Sequence, residues 1–153
     1  MDLDEPIRRD TLGWVFFSIQ ESDPDLAKQL AEEVDDTSLR VRVAQLLVQR
    51  GEPSESLRWV ATLGNEGETA PLVAQVFAIW SADDLPAAME AVMAYPPGGV
   101  RDRALAAMMS SRLRVFDTDT AERLLNAFDS PAEKSKAEAK LRAHRANDGS
   151  DVR

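Results

Sequence analysis

Cysteine is absent from all 153 residues, which excludes disulfides, thiolate metal sites and a cysteine nucleophile. Histidine is nearly absent: His144 stands alone, so the paired-histidine zinc helix is missing. The serine-nucleophile elbow and both glycine-rich phosphate loops are missing as well. No apolar run approaches the length needed to span a membrane, and no segment alternates strand-forming residues with period two. Positive charge is in short supply, with 18 Lys and Arg against 27 Asp and Glu, a net charge of −9. An acidic chain repels phosphate backbones, so nucleic acid is not an expected partner, nor is a membrane. Met1 is followed by Asp2, Asp4 and Glu5, the wrong charge for a secretory leader. Together with the missing cysteines this suits a cytoplasmic location.

The charge that is present is unevenly spread. Residues 1–38 carry 11 acids and 3 bases, residues 39–100 carry 7 and 4, and residues 101–153 carry 9 and 11. The front of the chain is acidic and its tail mildly basic. An apolar fraction of 44% beside a charged fraction of 29% belongs to a folded domain, not to a disordered chain.

A register recurs four times. An acidic residue is followed four positions later by a small one, then by mostly apolar positions three, four and seven further on. The copies read Asp23, Ala27, Leu30, Ala31, Val34; Glu52, Ser56, Trp59, Val60, Leu63; Asp84, Ala88, Ala91, Val92, Tyr95; and Asp117, Ala121, Leu124, Leu125, Phe128. The small residues are offset by 29, 32 and 33 positions. Spacing of i, i+3, i+4, i+7 marks one face of an α-helix, and near-regular recurrence marks a stacked repeat.

Each striped helix has an apolar partner upstream. The first, over 10–21, carries Leu12, Trp14, Val15, Phe16, Phe17 and Ile19. The third opens at Thr37 or Ser38, buries Leu39, Val43, Leu46 and Leu47, and closes at Gly51 in the left-handed conformation. Gly64-Asn65-Glu66-Gly67 reads as a loop, after which Thr69 opens a helix holding Leu72, Val73, Val76, Phe77 and Trp80. Pro96-Pro97-Gly98-Gly99 is the strongest breaker and precedes a helix with Val100, Ala104, Leu105, Met108, Met109 and Leu113. Ser130-Pro131-Ala132-Glu133 combines a capping box with proline at the first helical position. The helix it opens turns Ala132, Lys136, Ala139 and Ala143 to one side and has Leu141 as its only large aliphatic residue.

The expected architecture is therefore all-α. An acidic arm (1–9) precedes a repeat domain (10–129) with hairpins near 10–35, 37–64, 69–95 and 99–128. A weakly packed capping helix (130–146) and a disordered tail (147–153) follow. The four hairpins are expected to stack as a short right-handed superhelix. This pattern resembles the broad class of α-hairpin repeat proteins, such as tetratricopeptide, Sel1-like and HEAT repeats, over about residues 10–128. The chain lacks the aromatic and glycine signature of the tetratricopeptide motif, and its offsets are shorter than those of HEAT repeats. What the resemblance implies is peptide or protein binding on a concave face.

No catalytic residue, metal ligand or cofactor site is expected, and the chain reads as a non-enzymatic interaction module. Asp23-x-Asp25 and Asp117-x-Asp119 have the look of metal-binding pairs, but helix capping explains carboxylates at these positions. His144 reads as an exposed bystander. Six residues are candidates for binding. Trp80 and Tyr95 end the fifth and sixth predicted helices, where a groove would open. Trp14 and Phe16 crowd the first helix beyond what one face can bury, and would pair two copies of the chain as a homodimer. Arg42 and Arg112 belong to a set with Arg40, Arg50, Arg58, Arg101, Arg103 and Arg114, read mainly as solvated side chains with stems over apolar surface. Those that converge would suit an acidic peptide or a carboxyl terminus.

Overall fold

A computed structural model describes residues 14, 15, 18, 19, 22–34 and 37–148. Among the described residues, helices follow in the order α1 (Pro24–Val34), α2 (Thr37–Gln49), α3 (Pro53–Thr62), α4 (Glu66–Asp83), α5 (Leu85–Ala94), α6 (Gly99–Arg114), α7 (Thr118–Leu125) and α8 (Pro131–Asp148). No strand occurs among the described residues, and none of their helices is long and apolar enough to cross a membrane. The chain divides into two units, Met1–Leu63 and Gly64–Arg153. The acidic arm, Phe16 and Phe17, and residues 149–153 lie outside the described residues, as does most of the helix expected over 10–21.

The small residue and the one four positions after it are buried in all four copies of the register, whereas the last position of each copy is only half-buried. Ala27, Ser56, Ala88 and Ala121 each have 0% exposure. In every copy the amide of the small residue donates to the carbonyl of the acidic residue four back, at 3.1, 3.0, 3.0 and 3.2 Å. Asp23, Asp84 and Asp117 also cap their helices through the carboxylate, accepting from Leu26 N at 3.0 Å, Ala87 N at 3.0 Å and Thr120 N at 3.1 Å. Such a cap satisfies a donor that the first turn leaves orphaned. Glu52 makes no such side-chain cap, its extra methylene moving the carboxylate off the short Asx geometry. Pro86 sits at the start of α5, where the missing N–H removes no helical bond.

In the first unit α2 packs against both α1 and α3. Val43, Leu47 and Val60 fill the space between them, all essentially without exposure. Ala44 and Val48 are also buried, whereas Leu46, expected in the core, is only half-buried. Ser56 is tolerated there because its hydroxyl donates to the Ala44 carbonyl at 2.9 Å, which satisfies a buried polar group. Gly51 has φ +80°. Its amide reaches the Val48 carbonyl at 2.9 Å and the Glu52 amide reaches that of Leu47 at 2.9 Å, the paired bonds of a Schellman ending.

In the second unit α4 packs most extensively against α6, α5 lies on α4, and α7 lies on α6. Phe77, Leu105, Met108, Met109 and Leu124 form the buried centre. Phe77 is stacked on Trp80, with ring centroids 5.9 Å apart, and meets Tyr95 edge-on at 5.7 Å. Removing a buried phenylalanine of this kind costs about 3–5 kcal/mol.

Three expectations need correction. Helix α4 begins at Glu66, not at Thr69. The side chain of Asn65 accepts from Glu68 N at 3.1 Å while the Glu68 carboxylate accepts from Asn65 N at 3.3 Å. This reciprocal capping box outweighs the glycine at position 67. Second, α8 is one helix to Asp148, so Asn147 and Asp148 are helical, and its buried residues are Ala137 and Leu141. Ala132, Lys136, Ala139 and Ala143 face outward; the inner stripe runs through Glu133, Ala137, Leu141 and His144, with the acid and the imidazole at its margins. Third, Arg101 is not a solvated surface residue but one of the few buried charges among the described residues.

The capping box makes a direct prediction. Asn65→Ala should lower stability by about 1 kcal/mol in equilibrium urea unfolding, and an unchanged midpoint would contradict a helix start at Glu66.

Candidate binding cleft

The Pro96–Gly99 turn of the second unit shapes a cleft. Pro96 and Pro97 end α5, and Gly98 follows with φ +148°, a conformation that side chains other than glycine rarely adopt. The turn opens a cleft of about 640 Å³. Gly67 and Ala70 of α4, Tyr95 and the turn itself, Arg103 of α6 and Glu133 of α8 line it.

A polar latch holds that wall in place. Arg101 is 9% exposed, and its guanidinium grips the Asp129 carboxylate in a fork, Nε to Oδ2 at 2.7 Å and Nη2 to Oδ1. Its Nη1 donates to the Tyr95 carbonyl at 3.4 Å, and the Gly98 amide donates to Asp129 Oδ2 at 3.1 Å. Asp102 is buried beside it and accepts from the amides of Asp129 and Ser130 at 2.8 and 2.9 Å. Two adjacent side chains of α6 thus clamp the segment before α8, and one of them also grips the end of α5. Such charge-assisted, two-pronged bonds fix geometry as well as adding energy. The rim of the cleft is a rigid platform, not a free loop.

The hydrogen bond from Arg101 holds the Asp129 carboxyl below its ordinary value of 3.8, partly opposed by burial, with the Gly98 amide adding to the depression. In the first unit, Lys28 of α1 ion-pairs with Glu55 of α3 at 3.2 Å and with Asp25 at 3.3 Å. Burial works against the Lys28 charge, but the two carboxylates outweigh it and hold its pKa above 10.5. Trp59 is buried in the stripe, as expected, and its indole N–H donates to Glu32 at 3.0 Å.

Of the six candidate residues, Trp80, Tyr95 and Arg112 belong to the second unit, and of these only Tyr95 lines the cleft. Tyr95 lines the cleft, half-buried, with its ring against Phe77. Trp80 packs on the same Phe77 but is not among the residues lining the cleft. Trp14 is 76% exposed, and Phe16 lies outside the described residues. Arg42 is exposed on α2 in the first unit. Arg112 of α6 is half-buried near Asp117, whose carboxyl it helps to depress, and its Nε is buried without a hydrogen-bond partner. Among the described residues no group of three or more His, Asp or Glu is placed to hold a metal ion. Asp25 pairs with Lys28, and Asp23 and Asp117 cap their helices.

Arg101, Asp102 and Asp129 escape a reading based on register alone, because the partners lie 27 and 28 positions apart. One signal was available. Arg101 stands at i of the i, i+3, i+4, i+7 stripe completed by Ala104, Leu105 and Met108, so a charge there must find a buried partner. Because the Asp129 carboxyl is depressed in the folded state, its contribution is fully present above the unfolded value. It is lost as pH falls through the folded one. NMR titration of the Asp129 carboxyl carbon should therefore give a midpoint below 3.8, and a midpoint at or above it would contradict the fork. Compared with protein-family models, with characterised proteins and with solved structures, the chain matches none.

Proposed function

We propose that this chain is a non-enzymatic helical-repeat module that binds a protein or peptide partner, its hairpins stacking as a short right-handed superhelix. Polar contacts one repeat length apart support the stacking within each unit. Lys28 reaches Glu55 and Trp59 reaches Glu32 across 27 positions, Arg101 reaches Asp129 across 28, and Lys140 reaches Ser110 across 30. These separations approximate the 29 to 33 positions between copies of the register. Side chains one repeat apart meet when successive hairpins lie side by side.

The single observation that carries the binding role is the latched cleft. It offers Tyr95 and two prolines as apolar surface beside one exposed cation, Arg103, and one half-buried anion, Glu133. An extended peptide with an apolar side chain between an acidic and a basic residue suits that lining. Aromatic anchors at such places carry a disproportionate share of binding energy.

Selection of a displayed peptide library against the whole chain tests this. Enriched peptides should lose about tenfold in affinity to Arg103→Glu, a surface change that leaves the helical circular dichroism intact. A library yielding no binder, or binders indifferent to Arg103→Glu, would sink the cleft as the binding site.

A second reading, self-association through the N-terminal aromatic segment, is favoured by the exposure of Trp14 and Val15. Sedimentation velocity at rising concentration should then show a dimer that Trp14→Glu disperses. A strict monomer would eliminate it.

A further inference from the structure

A second recess in the same unit lies where α6 ends against α8, and it is lined with cations. Among the described residues, Ser110, Leu113, Arg114, Lys140, Ala143, His144 and Asn147 border a volume of about 440 Å³, and none of these is a carboxylate. Lys140 donates to the Ser110 hydroxyl at 2.8 Å, and neither Lys140 nor Arg114 makes an ion pair among the described residues. His144 is not the exposed bystander its sequence context suggests. It is half-buried, and its Nε2 is shielded from solvent without a hydrogen-bond partner. On a chain with net charge −9, two cations without an ion pair beside an imidazole make this recess complementary to an anion.

The backbone beside it carries an independent mark. Phe116 is the one described residue other than glycine with positive φ, at 59°. Its amide meets the Leu113 carbonyl at 3.1 Å and the Asp117 amide meets that of Arg112 at 3.0 Å. This is the same helix ending that Gly51 makes after α2, so Phe116 occupies a glycine's position. A phenylalanine there costs about 1–2 kcal/mol of backbone strain. The cost is not recovered in the core, since Phe116 is 67% exposed and Val115 is 65% exposed. The ring instead lies over His144, with centroids 5.4 Å apart. Strained, exposed residues held beside an unpartnered polar group mark a place where function opposes stability.

We infer that this corner docks an acidic peptide segment, a carboxylate entering the recess of Arg114, Lys140 and His144 while a neighbouring apolar side chain covers Phe116 and Val115. The inference rests on the peptide-binding reading for the carrier of the carboxylate, but it concerns a separate site.

Because His144 is the only histidine, its ring resonances report on this site alone. The probes are a capped peptide of alternating leucine and glutamate, its glutamine counterpart, and inorganic phosphate, all at constant ionic strength. The glutamate peptide should shift the His144 signals saturably, with about tenfold weaker binding for the glutamine peptide and for Lys140→Gln. Arg103→Glu should leave that shift unchanged, which separates this site from the Tyr95 cleft. Phe116→Gly should raise the melting temperature while weakening the peptide, a combination that a merely structural role does not produce. Equal binding of the two peptides, an unaffected Lys140→Gln variant, or a shift that never saturates would overturn the inference. Phosphate binding more tightly than the glutamate peptide would overturn its carboxylate assignment.

Discussion

Helices can approach closely only where the side chains between them are small, and this chain provides for that at one place in each copy of its register. Ala27, Ser56, Ala88 and Ala121 are completely buried, each one turn inside a helix whose start is fixed by an acidic residue four positions earlier. The interaxial distance between packed helices is set by the residues at the contact, so a larger side chain at these points would push the pair apart. The neighbouring stripe residues Ala31, Val60 and Val92 share the full burial. Small residue and stripe together let short helices of 10 or 11 residues, such as α1, α3 and α5, hold their place. Helices of that length are marginal in water without tertiary packing.

Where apolar packing ends, polar contacts take over the spacing. The two units use different chemistry for this purpose. In the first, partly exposed pairs around Lys28 and Glu55 bridge α1 and α3, and solvent and salt weaken contacts of that kind. In the second, Arg101 and Asp102 are buried and tie two loops to α6. Their carboxylate and amide partners satisfy the charges that burial would otherwise penalise. That asymmetry locates the rigid platform in the second unit, under the Pro96–Gly99 turn.

The helices and most of the core were legible in the amino-acid sequence, because periodicity and caps are local. Leu72, Val73, Val76, Phe77, Leu105, Met108 and Leu124 are buried as the spacing predicts. Asn65 was misread because glycines on either side outweighed an asparagine–glutamate box that differs from the serine or threonine form. Face assignment failed in α8, where alanines predominate on every side and hydrophobicity cannot choose between Ala137 and Ala139. Of the candidate binding residues only Tyr95 was placed on the cleft, since the latch that builds its wall joins residues a full repeat apart. Phe116 carried no signal at all. Its left-handed backbone follows from the ending of α6, and phenylalanine is not a residue from which a cap is inferred.

The most direct test concerns the small buried positions, since α1, α3, α5 and α7 each pack against a neighbouring helix and each carries one of them. Equilibrium urea unfolding of Ala88→Leu should be compared with Ala94→Leu, whose side chain is exposed at the end of the same helix. Overpacking at Ala88 should cost about 1–3 kcal/mol, with Ala94→Leu close to the parent. Equal stabilities for the two variants would show that the helices do not meet at that residue, and would contradict the packing described here.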